Sequence, residues 1–231
     1  MQYEFSPSRS RPVTIDASTE AQVYGLFAFA MFITALGVYA GNIAAPMLLG
    51  AGLHMVLLLV QLGLLFTASF WMDRSPLNYV LFGLFPFISG FTIAPFIGMV
   101  MTGYENGPSI LLNALSATAF MSLAAALWAR TTSIRLGMLG NMLMLSLLGL
   151  LGMSILQYFV PALQTPRFEL FLSGFGVVLF GLFTAYDMQR IQELGKVGAN
   201  PFMLALSLYL DIFNLFVSLV RFMIALSGDR R

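Results

Sequence analysis

Two carboxylates, Asp187 and Asp211, stand inside long apolar stretches, where an ionisable side chain is costly and usually functional. Residues 167–192 end in Ala185-Tyr186-Asp187-Met188-Gln189-Arg190, and residues 202–226 carry Leu208-Tyr209-Leu210-Asp211-Ile212-Phe213-Asn214-Leu215-Phe216. The turn-like Gly198-Ala199-Asn200-Pro201 separates them, and each aspartate lies twelve residues from Ala199. If the two runs are antiparallel helices, the carboxyls arrive at the same depth and can face each other. Two carboxyls sharing a low-dielectric site cannot both ionise cheaply, so one proton is shared and the pair titrates in two separated steps. Protonated, the two are drawn together by a hydrogen bond. Deprotonated, they repel each other or recruit a cation. Calcium is the natural hard cation, but it wants six to eight oxygens. Asp187 and Asp211 with Asn214, hydroxyls and water make a weak, transient site, as passage through a pore requires.

The surrounding residues fit that use. Ser207, Asp211, Asn214, Ser218 and Arg221 follow at i, i+4, i+7, i+11 and i+14, a helical stripe roughly 80° wide in an otherwise apolar run. Gly181, Thr184 and Asp187, spaced by threes, can form the opposing face. The plainer alternative is that each aspartate only ties helices together through a hydrogen bond.

Other polar and aromatic residues carry less. His54 has no carboxylate or histidine at helical spacing, so it reads as packed or interfacial. Trp71 and Trp128 sit near span ends as interface anchors. Asp73, Glu105 and Glu169 fall at loop positions and are expected to be solvated. Met138, Met142, Met144 and Met153 read as packing. Arg221, near the end of its run, is expected to snorkel to the interface rather than pair with a carboxylate.

Composition fixes the class that must position these groups. Of 231 residues, 59% are hydrophobic and 9% charged, against roughly 25% charged in soluble proteins. Residues 21–72, 75–104, 106–129, 136–166 and 170–186 contain no Asp, Glu, Lys or Arg. A membrane-spanning helix needs about 20 apolar residues, so the chain reads as an all-α polytopic membrane protein. Seven spans are expected, near 22–41, 47–72, 77–102, 109–129 and 134–159, followed by the aspartate-bearing pair. Asn42 and Pro46 divide the first two. Pro86, Gly90 and Pro95 break up the third, each proline freeing a carbonyl. Gly37-x-x-x-Gly41 has the close-packing spacing of membrane helices, a pattern that chance can produce among 21 glycines.

Residues 1–20 read as a polar tail, 21–228 as the membrane domain and 229–231 as a basic tail. Lysine and arginine favour an N-terminus in the cytoplasm, with Arg9, Arg11, Arg74, Arg130, Arg135, Arg190 and Lys196 inside and Arg167 outside. Seven spans then put Arg230 and Arg231 outside, against the rule, unless the last segment re-enters and both ends lie inside. The net charge of +1 gives no case for nucleic acid, and the absence of cysteine excludes disulfides and thiolate chemistry.

Ala185-Tyr186-Asp187-Met188-Gln189 and the stretch Leu206-Ser207 to Phe216 resemble the sixth- and seventh-helix signatures of the Bax inhibitor-1 family. Weaker similarity covers Ala21-Gln22-Val23-Tyr24, the third span and Leu115-Ser116-Ala117-Thr118-Ala119-Phe120. The resemblance implies seven helices with the last central and wrapped by the other six. It also implies a pH-sensitive calcium leak with Asp187 and Asp211 as sensor and calcium as the permeant ion, and no cofactor. Some members latch the aspartates with an arginine at the end of helix two. Asp73 occupies the matching place here, with Arg74 next to it, so either Arg74 substitutes as the latch or gating differs. Short loops fit a bacterial inner-membrane member.

Two other functions compete. A membrane interaction protein that modulates a protease or stress-response assembly would need the aspartates only as helix ties. An intramembrane aspartyl protease needs Gly-x-Gly-Asp, whereas Leu208-Tyr209-Leu210 precedes Asp211, and Pro161-Ala162-Leu163 lies before both aspartates. The chain is therefore not expected to be an enzyme.

Overall fold

The computed structural model describes residues 18–50 and 52–228, the side chains of 45–50 excepted. The expected tails therefore lie mostly outside the described residues, as do Arg9, Arg11, Arg230 and Arg231. Within the N-terminal stretch, Thr19 and Glu20 already belong to the first helix.

The described chain is helical and without strands. Helix α1 spans Thr19–Gly50, α2 Leu53–Phe66, α3 Ala68–Trp71, α4 Leu77–Gly103, α5 Gly107–Thr131, α6 Gly140–Phe159, α7 Pro166–Gly195 and α8 Pro201–Ser227. Short 3-10 turns, Leu136–Leu139 and Pro161–Leu163, precede and follow α6. Six helical stretches are long and apolar enough to cross a membrane, and Leu53–Phe66 is a shorter apolar helix. The fold is thus an all-α, polytopic membrane architecture.

The first boundary differs from expectation. Asn42 and Pro46 do not stop α1, which runs on to Gly50. The chain turns instead at Gly52, whose φ of 64° lies in the left-handed region open to glycine. The second span is correspondingly short and is divided at Thr67 into α2 and α3. Nor is the third span broken: α4 is continuous through Pro86 and Pro95.

The reason lies in how α1 and α4 pack. A side chain at Gly90 would run into the Thr34 carbonyl, one at Gly37 into the Phe87 carbonyl, and one at Gly41 would come within 2.5 Å of the Phe91 carbonyl. Pro95 cannot donate to Phe91, its i−4 residue, and that freed carbonyl lies against Gly41. The Gly37/Gly41 spacing is therefore a genuine close-packing seam, in which backbones approach because no Cβ stands between them.

Helix α8 is the spine. Buried residues make up 61% of its most apolar window, against 11–22% in α1, α5 and α6. It packs against α1, α4, α5 and α7, while α2 sits on α4 and α6 chiefly on α7. Phe202, Leu204, Leu208 and Tyr209 join one core cluster with Val23, Trp71, Phe82 and Phe85. Leu215, Leu219 and Val220 join a second with Val100, Leu143, Leu172 and Leu179. Outside, Phe32, Phe120 and Leu145 are more than 60% exposed, as a surface facing lipid rather than water must be.

Local signals start the two critical helices. Thr165 accepts from the Phe168 amide ahead of Pro166, and Asn200 accepts from Phe202 and Met203 at 2.8 and 3.3 Å ahead of Pro201. Asn200 also donates to the Met72 carbonyl and to Asp73 Oδ1. Asp73, expected to be merely solvated, thus ties the α7–α8 turn to the end of α3. Trp71 is likewise no interface anchor. It is 3% exposed and donates from Nε1 to the Leu64 carbonyl at 3.2 Å, whereas Trp128 is 40% exposed.

Candidate functional site

Helices α7 and α8 pack closely along their length, and the turn between them carries Gly198 at a φ of 74°. This hairpin brings Asp187 and Asp211 together. Their side chains lie close enough to interact with each other. Asp187 is 3% and Asp211 8% exposed, so both carboxyls are removed from water. Ser207 lies beside Asp187, one α8 turn before Asp211. The Oδ2 atoms of both aspartates are buried with no hydrogen-bond partner among the described residues. Buried polar atoms are rarely left so, and a proton, a water or a cation would satisfy them.

The charge at the pair is Arg190, one turn beyond Asp187 on the same helix, with Nη1 3.9 Å from Asp187 Oδ1. Arg74 is not brought there: its side chain is exposed and has no ion pair among the described residues. The i, i+3 spacing of Asp187 and Arg190 is visible in the sequence, where Arg190 otherwise reads as a charge near a span end.

The polar stripe on α8 does face α7. Ser218 is buried, with its hydroxyl against Gly176, where an added Cβ would meet Oγ at 2.7 Å. Asn214 donates to the Leu210 carbonyl at 2.8 Å, and Thr184, fully buried, donates to the Phe180 carbonyl at 2.8 Å. These two are satisfied within their own helices, which leaves Ser207 as the hydroxyl beside the pair.

Arg221 does not snorkel. Its Nε and Nη2 donate to Glu169 Oε1 and Oε2 at 2.7 and 3.0 Å, and Gln157 Nε2 donates to Oε2 at 2.9 Å. Glu169 is therefore a half-buried residue in the first turn of α7 rather than a solvated loop acid. Its clasp borders a cavity at the far end of the bundle, with Tyr104 and Gln164 in the wall.

Two residues of the same stretches make contacts that the sequence does not reveal. Gln189 accepts from the Leu136 amide at 2.6 Å and donates to the Ile134 carbonyl at 3.0 Å, pinning the α5–α6 connection to α7. Tyr209 shares a 2.8 Å hydrogen bond with Thr34 and reaches Ser89, which itself accepts from Gln61 at 2.6 Å. That buried polar set joins α1, α2, α4 and α8 and fixes the side of α8 turned away from Asp187. His54 is exposed on α2.

Among the described residues, no three of His, Cys, Asp or Glu converge on one point. The pair and Ser207 supply fewer oxygens than the six to eight of a tight calcium site.

A helical bundle with paired carboxyls buried between its last two long helices defines a polytopic membrane protein with an intramembrane acidic site. A family model described as inhibitor of apoptosis-promoting Bax1 matches residues 17–228, and the chain belongs to that Bax inhibitor-1 family. It is 30% identical over 219 residues to an uncharacterized protein of Campylobacter jejuni, covering 94% of this chain and 91% of the relative. It is 29% identical over 226 residues to the inner membrane protein YbhL of Escherichia coli K12, covering 91% of each. To a BI1-like protein of Arabidopsis thaliana it is 27% identical over 206 residues, covering 87% of this chain and 77% of the relative.

Proposed function

We propose that the protein is a pH-responsive leak for cations, calcium foremost, with Asp187 and Asp211 as its sensor. One observation carries this reading. Two buried carboxyls on consecutive helices reach each other, and each keeps an oxygen without a partner. A shared proton satisfies those oxygens and holds α7 to α8. Its loss places two like charges at close range in a medium of low dielectric, where repulsion is several times stronger than in water. The helices then separate or take up a cation. With so few protein oxygens the cation is held weakly, and weak holding is what permits release.

The resemblance to an inner membrane protein supports placement in a bacterial inner membrane. The arginines and lysine at the end of the bundle where α1 begins favour a cytoplasmic N-terminus.

The test is calcium flux into dye-loaded liposomes containing the purified protein. Flux is expected to change across about pH 6 to 8, a range that coupled carboxyls reach. Asp211→Asn is expected to flatten that response. A wild-type and an Asp211→Asn protein with the same pH profile would sink the sensor, and an absence of flux at every pH would sink the leak.

A further inference from the structure

The end of the bundle where α1 begins holds a second feature, a cavity of about 450 Å³ separate from the aspartate pair. The amino end of α1 and the carboxyl ends of α5 and α7 meet there. Ser18, Glu20, Arg130, Gln192 and Lys196 are in its wall. The ionised groups are two cations and one acid.

The acid is already occupied. Arg130 Nη2 meets Glu20 Oε1 at 2.6 Å, and the Tyr24 hydroxyl donates to the same oxygen at 3.2 Å. Arginine carries five N–H donors, so Arg130 has donors to spare beyond this contact. Lys196 is exposed and has no ion pair among the described residues. Gln192 Nε2 is buried and has no acceptor among the described residues. Among the described residues the wall therefore holds more donors than acceptors to satisfy them, and an oxyanion would supply what is lacking.

The level of the cavity narrows the class of anion. Helices of spanning length end here, so the site lies at the headgroup layer and not in water or hydrocarbon. Cationic pockets between helix ends at that level suit the headgroups of acidic lipids. We propose that this cavity binds the headgroup phosphate of an acidic phospholipid, with Arg130, Lys196 and the Gln192 amide as its donors. The proposal is independent of the leak.

The test uses the full chain in neutral detergent, with lipid retention read by native mass spectrometry after titration with phosphatidylglycerol or phosphatidylcholine. Saturable retention of phosphatidylglycerol is expected, with phosphatidylcholine lost. Lys196→Gln is expected to weaken retention about fivefold, the effect of one cation near a membrane surface. Gln192→Leu, which removes a donor without removing charge, is expected to weaken it as well. Arg130→Gln also breaks the contact with Glu20, so the first two variants decide. Equal retention of both lipids, or unchanged retention in both deciding variants, would overturn the proposal. Displacement of the lipid by millimolar inorganic phosphate would overturn it too, by making the ligand a soluble phosphate compound.

Discussion

Arg221 grips Glu169 through two parallel contacts, Nε to Oε1 at 2.7 Å and Nη2 to Oε2 at 3.0 Å. The grip closes the α7–α8 hairpin at the end opposite its turn, with the aspartate pair between the two. Both side chains are partly shielded, at 35% and 25% exposure, and the geometry is the bidentate fork that suits arginine and carboxylate. Removing one partner leaves the other with unmet hydrogen-bonding capacity. Glu169→Gln and Arg221→Gln are each expected to lower stability by about 1–3 kcal/mol, the range for leaving a shielded donor or acceptor unsatisfied. Thermal unfolding in detergent, run as a double-mutant cycle, checks the coupling. Additive losses would show that the two residues act separately.

The α1–α4 seam makes a second, sharper prediction. A Cβ at Gly90 would collide with the Thr34 carbonyl, a backbone atom that no rotamer change can move. Gly83 lies on the same helix, but its added Cβ would meet only the Phe29 ring, at 3.4 Å. Gly90→Ala is expected to cost about 1–3 kcal/mol through overpacking, and Gly83→Ala little. The midpoint of thermal unfolding distinguishes them, and equal midpoints would contradict the seam.

Much of this architecture was legible in the sequence, for physical reasons that differ by element. Charge-free runs of spanning length revealed the helices because a bilayer accepts little else. The meeting of Asp187 and Asp211 followed from their equal spacing about Ala199. The stripe on α8 followed from helical periodicity. What stayed hidden depended on neighbours remote in sequence. Pro46 looks like a stop signal, yet α1 passes through it and ends at the next glycines. Glu169 and Arg221 each looked solvated or interfacial alone, and only the folded hairpin brings them together. Trp71 suited an interface by position and is buried because it packs into the cluster with Val23, Phe82 and Phe202.

Gln189 shows the same limit and supports a third prediction. It sits two residues after Asp187, but its amide serves the α5–α6 connection, accepting from Leu136 and donating to Ile134. Gln189→Leu removes both hydrogen bonds while keeping similar bulk. A loss of about 1 to 2 kcal/mol is expected, together with faster hydrogen exchange at the Leu136 amide. Unchanged exchange there would mean that the connection is held by its apolar contacts alone, among them Leu136 packed with Ala125 and Ala185.

The last prediction separates the two arginines that can act on the aspartates, and it rests on the proposed leak. Arg190 lies 3.9 Å from Asp187 Oδ1 on the same face of α7, whereas Arg74 is exposed and without an ion pair among the described residues. A positive charge at that distance favours the ionised pair, because the interaction is only partly screened away from bulk water. Replacing Arg190 by Gln removes that bias, so the protonated pair persists to higher pH. The calcium-flux response of Arg190→Gln is therefore expected to move toward alkaline pH, and that of Arg74→Gln to stay in place. A shift in the Arg74 variant alone would reassign the controlling cation to the α3–α4 connection and require α3 to move toward the pair during gating.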